Sequence, residues 1–277
     1  MYPLNQIIKN IGNMSAVILL RNAFGIRPKY YKEPPLSYSV SDLFFWRSDD
    51  LWRTRFDLIN LPSILYPDQK ISDSITLIFY NQKGEEFHRE KIIVSCLQKR
   101  SILIEDIIGK TQGFGTMACF HETQESLKSP QSQTCIVERG FIAYQRIKDD
   151  CPLWSFVHGS AYILAKAPGK ELTQTTRRGF RKKITYRPQV LLGDCNQFEL
   201  IYINPNDKDL LVQIRLLNKD SNLIRETSEV LHSRGVKVIK FDNNFRTIHR
   251  VENESRAYML RPYILKYYKT HFDIFHS

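Results

Sequence analysis

The sequence predicts an all-β protein: two tandem, duplicated antiparallel β-sandwich domains behind an N-terminal amphipathic helix. Three observations carry this. Apolar residues alternate with period two in short runs, turn residues separate the runs about every ten positions, and the same order of runs occurs twice. The 277 residues, 42% apolar and 12% aromatic, are enough for packed cores and speak against disorder.

In chain order, Leu4, Ile7, Ile8, Ile11, Met14 and Ile18 fall at helical spacing opposite Asn5, Lys9, Asn10 and Asn13, which predicts a helix over 4–24. Its apolar run, Ala16 to Leu20, is far shorter than the roughly 20 residues that span a bilayer. The helix face packs on a sandwich, pairs two copies as a homodimer, or makes a peripheral membrane contact. Residues 1–28 form this helical segment, 29–166 the first sandwich, 167–174 a linker (Ala167-Pro-Gly-Lys-Glu-Leu-Thr-Gln174) and 175–277 the second sandwich.

The duplication rests on four blocks. Ile75-Thr-Leu-Ile-Phe-Tyr-Asn-Gln-Lys-Gly84 lies over Val212-Gln-Ile-Arg-Leu-Leu-Asn-Lys-Asp-Ser221, and the same offset matches Ile102 with Ile239. Upstream, Phe56-Asp-Leu-Ile59 matches Phe198-Glu-Leu-Ile201; downstream, Arg139-Gly-Phe-Ile-Ala-Tyr144 matches Arg256-Ala-Tyr-Met-Leu260. Each unit closes on a similar phrase, Phe156-Val-His-Gly-Ser160 and Ile274-Phe-His-Ser277. Within the blocks, Ile75, Leu77 and Phe79 alternate with Thr76 and Tyr80, and Val212, Ile214 and Leu216 with Gln213 and Arg215. That is the pattern of half-buried strands joined by hairpins at Asn-Gln-Lys-Gly and Asn-Lys-Asp-Ser. Ser41 to Trp46 and Trp52 read as core packing.

The phrase Phe198-Glu-Leu-Ile-Tyr-Ile-Asn-Pro-Asn-Asp-Lys-Asp209, followed by strand, turn and hairpin through Asp242, resembles the β-sandwich modules of sensory-rhodopsin-transducer-like bacterial proteins. The resemblance implies a module that binds partners rather than catalyses.

Charge and cysteines narrow the setting. Forty Lys and Arg against 29 Asp and Glu leave a net charge of +11, which attracts anionic partners in general. Five cysteines, at 96, 119, 135, 151 and 195, contain no C-x-x-C pair and read as reduced thiols in a cytoplasmic protein. No Walker, dinucleotide, nucleophile-elbow or H-E-x-x-H signature is present, which removes the usual markers of those enzyme classes.

Three constellations remain. His158 and His276 occupy equivalent positions at the two unit ends, and His271 and Asp273 lie nearby; two imidazoles and a carboxylate suit a transition metal, although on a strand His276 points away from His271 and Asp273. Arg177, Arg178, Arg181, Lys182 and Lys183, interleaved with Phe180 and Tyr186, form a basic arm suited to phosphates and stacked bases, or to lipid headgroups. Arg261 beside Tyr267 and Tyr268 sets a guanidinium against aromatic rings, as saccharide or carboxylate recognition uses. The function expected is a non-catalytic adaptor or binding module for a protein or saccharide partner, or an anionic polymer, with no cofactor. The alternative is a metal-assisted enzyme of saccharide or small-molecule metabolism with its site between the domains.

Overall fold

A computed structural model describes residues 39–110, 113–123, 140–147, 153–160, 162–165, 172–173, 183–189, 195–241, 247–256 and 260–277, with a few isolated positions between 11 and 20. The predicted helix at 4–24 lies almost wholly outside these residues, and no helix among them is long and apolar enough to cross a membrane. The first repeat contains β1 (Ser39–Ser48), β2 (Trp52–Ile59), α1 (Leu61–Leu65), β3 (Asp73–Tyr80), β4 (Glu86–Val94), β5 (Lys99–Leu103), α2 (Ile104–Ile108), β6 (Gly113–His121), β7 (Phe141–Arg146), β8 (Ser155–Val157), β9 (Tyr162–Ala165) and β10 (Leu172–Thr173). The second contains β11 (Ile184–Tyr186), β12 (Gln197–Ile203), β13 (Leu210–Leu217), β14 (Leu223–Leu231), β15 (Val236–Phe241), β16 (Arg250–Ser255), β17 (Tyr263–Tyr267) and β18 (Phe272–His276).

The two repeats share one topology. Sheet order β1-β6-β3-β4 recurs as β11-β16-β13-β14, and β5-β2-β7-β8 recurs as β15-β12-β17-β18. All ladders are antiparallel, as β-sandwiches require. The first repeat widens one sheet to six strands by adding β9 and β10 beside β1, so Leu172–Thr173, inside the stretch read as a linker, pair with β9.

The duplication reaches single residues. The ladder shifts register between Phe79 and Tyr80 and again between Leu216 and Leu217, at the offset that the sequence blocks give. Gly84 and Ser221 end equivalent hairpins with φ of 77° and 66°, while Leu97 and Arg234 repeat a left-handed residue at 58° and 59°. Asn60 Nδ2 donates to the Val94 carbonyl, and Asn204 Nδ2 to the equivalent Leu231 carbonyl.

Two of the sequence matches need correction. Phe56 lies opposite Ile102 and Ile142, whereas Leu200 lies opposite Ile239 and Ile264, so Phe56 is equivalent to Leu200 and not to Phe198. A shift of two residues keeps every side chain on its face, and a period-two pattern cannot detect it. The strand equivalent to β7 is β17, so Ile142 matches Ile264, and the pairing of Arg139 with Arg256 falls away.

The expected half-buried alternation holds for β13 but not for β3, where Ile78 and Tyr80 are as buried as Ile75 and Leu77. The reason lies in the packing of the repeats. Phe198, Leu200, Tyr202 and Ile264 fill the second core, while Ile201, Ile203, Tyr263, Leu265 and Ile274, on the opposite face of the same sheet, join the apolar cluster of the first repeat. That cluster includes Leu43, Ile78 and Ala118, which share a row across β1, β6 and β3 on the face away from the Phe44–Phe56 contact. Thr116 Oγ1, on this face, donates to the Arg234 carbonyl at 2.6 Å. The repeats are thus stacked sheet on sheet.

The β3–β4 hairpin seals one border of this stack. A Cβ on Gly84 would stand 1.7 Å from the Ser233 carbonyl oxygen, whereas one on Gly109, also at positive φ, would meet nothing within 4 Å. Gly109→Ala is therefore expected to cost only the left-handed strain, about 1–2 kcal/mol. Gly84→Ala should cost clearly more in urea unfolding, and equal costs would show that the hairpin does not press on the second repeat.

Candidate functional site

Where the two repeats meet, the ends of β1, β2, β7, β12, β15 and β17 enclose a pocket of about 240 Å³. Its polar centre is Glu199, whose position on β12 faces the first repeat. Arg47 Nη1 donates to Glu199 Oε2 at 3.2 Å, and Arg47 Nε to Asp49 Oδ2 at 3.0 Å. Lys240 Nζ stands 3.7 Å from the other Glu199 oxygen. The Arg47 and Glu199 side chains are 11% and 5% exposed, against 63% for Lys240, so the first pair lies at the floor and the lysine at the mouth.

Aromatic rings line the walls. The Arg47 guanidinium lies 5.1 Å from the Trp52 ring centre, and Arg146 lies 5.4 Å from that of Tyr267. Trp52 is wedged edge-on against Phe272 at 4.8 Å, which fixes that wall. Burial pulls the Arg47 guanidinium down, but Glu199, then Tyr267 and Asp49, outweigh it and hold it above its ordinary value. Burial, and next the Glu199 carboxylate, push the Tyr267 phenol up, so it stays neutral at physiological pH.

Chemically, Arg47, Arg146 and Lys240 set three cations around one lining carboxylate, with no His, Cys or Ser in the wall. A surplus of cations on aromatic faces suits an anionic group.

Of the residues singled out from sequence, Tyr267 lines this pocket. Tyr268 instead stacks on His271 at 4.5 Å, and Arg261 is exposed. Arg177, Arg178, Phe180, Arg181 and Lys182 lie outside the described residues. Lys183 pairs with Glu254 at 2.9 Å, and Tyr186 donates to the Ser277 carbonyl, so this C-terminal end of the arm is tied to the second sandwich. Arg47, Arg146, Glu199 and Lys240 were not legible in the sequence: they lie on four strands, and only the packing of the repeats joins them. Trp46 and Trp52 are buried, as their sequence context suggests.

His276 meets the backbone of His158, while the His158 ring lies 5.5 Å from that of Phe141. Val157 lies opposite Ile142 and Phe275 opposite Ile264, which makes the two histidines equivalent. His276 Nε2 lies 2.8 Å from the Gly159 carbonyl and 3.2 Å from that of His158; facing carbonyls, it must carry the proton and donate. The Asp273 carboxylate takes the Ser155 hydroxyl at 2.9 Å, while His271 is engaged with Tyr268. Among the described residues, no three His, Cys, Asp or Glu side chains converge as a metal-holding group.

Burial holds the His276 imidazole below its ordinary value of 6.5, against the raising pull of the Gly159 and His158 carbonyls. The unfolded chain therefore takes up this proton more readily than the folded one. The stability is fully present above about 6.5 and is lost as pH falls through the lower folded value. Urea midpoints should drop between about pH 7 and pH 5, and His276→Gln should flatten part of that drop. An identical profile in the variant would show that His276 does not contribute.

No protein-family model and no curated protein matches this chain. Among solved structures, it is similar to a glycosyl hydrolase family 2 member from Bacteroides cellulosilyticus DSM 14838, at 8% identity and a TM-score of 0.15, covering 84% of this chain and 27% of that one. It is also similar to Bacteroides uniformis beta-glucuronidase, at 9% identity and a TM-score of 0.18, covering 85% and 25%. The chain spans about a quarter of the length of these structures.

Proposed function

We propose that this chain is a non-catalytic binding module whose interdomain pocket takes an anionic group, a carboxylate or a phosphate, of its partner. The observation that carries this is the cation surplus around Glu199. Arg47 is held at the floor by Glu199 and Asp49, whereas Lys240, 63% exposed beside the other Glu199 oxygen, and Arg146 against the Tyr267 ring are the cations nearer the mouth that would address the ligand. Arg146 would grip a flat carboxylate from one side, and Lys240 would act as a point charge with most of its side chain in water. The volume of about 240 Å³ admits one sugar acid or one side chain, so a larger partner would insert only its charged end.

Calorimetric titration with glucuronate and with inorganic phosphate tests this and separates the two sources. Saturable binding of one of them is expected, weakened about tenfold by Arg146→Ala or by Lys240→Ala and reduced by added salt. Binding of neither at about 10 mM, a ligand concentration that reveals even millimolar affinity, would end the proposal. So would binding indifferent to both substitutions.

A further inference from the structure

The outward face of the β5-β2-β7-β8 sheet is separate from the interdomain pocket. Its equivalent in the second repeat, the face bearing Ile201, Tyr263, Leu265 and Ile274, is the one buried against the first repeat. In the first repeat this face is open, yet Phe141 and Phe156, the counterparts of Tyr263 and Ile274, remain large aromatics, 36% and 47% exposed. Exposed aromatic clusters of this kind mark binding surfaces.

The face has a defined geometry. Phe156 lies in β8, and Trp154 and His158 flank that strand at either end. Phe141, on the neighbouring strand, stands 5.5 Å from His158, ring centre to ring centre. Arg55 lies opposite Ala143, which in turn lies opposite Phe156. The methyl of Ala143 leaves room for the guanidinium to cross the strand, and it rests 4.9 Å from both the Trp154 and the Phe156 ring centres. Asp57 fixes it from behind through both carboxylate oxygens, at 3.1 and 3.3 Å. Among the described residues, the surrounding charges are Arg53 paired with Glu105 and Lys99 paired with Asp57, three cations to two acids with Arg55 counted.

Aromatic rings interleaved with a clamped Arg–Asp pair match a sugar better than a protein core. A pyranose offers a C–H face to a ring and a rim of hydroxyls that donate and accept at once, which a guanidinium donor beside a carboxylate acceptor matches. We propose that this face is a saccharide platform for an acidic oligosaccharide: Trp154, Phe156 and Phe141 stack on sugar faces, and Arg55, held by Asp57, binds hydroxyls and carboxylates. The cation surplus selects the acidic class.

The test uses trigalacturonate as probe and uncharged cellotriose as its comparison, with tryptophan emission as readout. Trp46 is 3% exposed and Trp52 lines the interdomain pocket, so Trp154 reports this face and the Arg146→Ala variant separates out any response from Trp52. Trigalacturonate should give a saturable change and cellotriose a weaker one. Phe156→Ala and Arg55→Lys, both at exposed or half-buried positions, should weaken the affinity about tenfold or more with the thermal midpoint nearly unchanged, and Lys219→Ala in a distant turn should not alter it. The platform is overturned if neither probe gives a saturable change, or if Phe156→Ala retains full affinity. It is also overturned if Arg146→Ala abolishes the response, which would move the binding to the interdomain pocket. Concentration-dependent dimerisation abolished by Phe156→Ala in sedimentation, without sugar binding, would make the face a protein interface instead.

Discussion

The architecture depends on one sheet, β15-β12-β17-β18, being buried on both sides. Its inner side chains complete the second sandwich, and its outer ones, Ile201, Ile203, Leu265 and Ile274 among them, extend the core of the first. Each such side chain removed from water contributes about 1.5–3 kcal/mol before entropy is subtracted. Domains are usually stable by about 5–15 kcal/mol, so a face of this size holds the two repeats in one arrangement. The pocket and its charges exist only because of that arrangement.

Within the seam, the Arg47–Glu199 pair does something other than stabilise. Removing two charges from water offsets much of their attraction, whereas misaligning the repeats would leave a buried carboxylate without its cation. The pair, with Tyr267 and Trp52 packed beside it, therefore fixes the register of one repeat on the other and sets where Arg146 and Lys240 stand. The same structural logic separates the two outward faces: the second repeat uses its face for intramolecular docking, while the first repeat offers Arg55 and its rings to the surroundings.

Symmetry between the repeats is strict in the backbone and lapses in the surfaces. Turn geometry at Gly84 and Ser221, the bulge in each hairpin and the Asn60 and Asn204 clamps are all duplicated, because they satisfy the same buried backbone groups. The outer faces differ in character. Leu43, Ile78 and Ala118 are apolar where they receive the second repeat, but the corresponding side of β13 and β16 carries Arg215 paired with Glu226 and Glu254, so it lacks that apolar row.

What the sequence by itself determined was local: strand identity through period-two alternation, hairpin positions through Asn, Asp and Gly, the tandem order of the two units, and the equivalence of His158 and His276. These follow from rules that act within a few residues or between repeated phrases. The two-residue error at Phe56 shows the limit, since a shift that preserves every face leaves the pattern unchanged and only ladder hydrogen bonds resolve it. The docking of one repeat on the other, the pairing of Arg47 with Glu199 and the crossing of Arg55 over Ala143 to two rings were decided by tertiary structure alone. Each joins side chains from separate strands whose proximity depends on which sheet face meets which, and alternation gives a face its polarity without naming its neighbour.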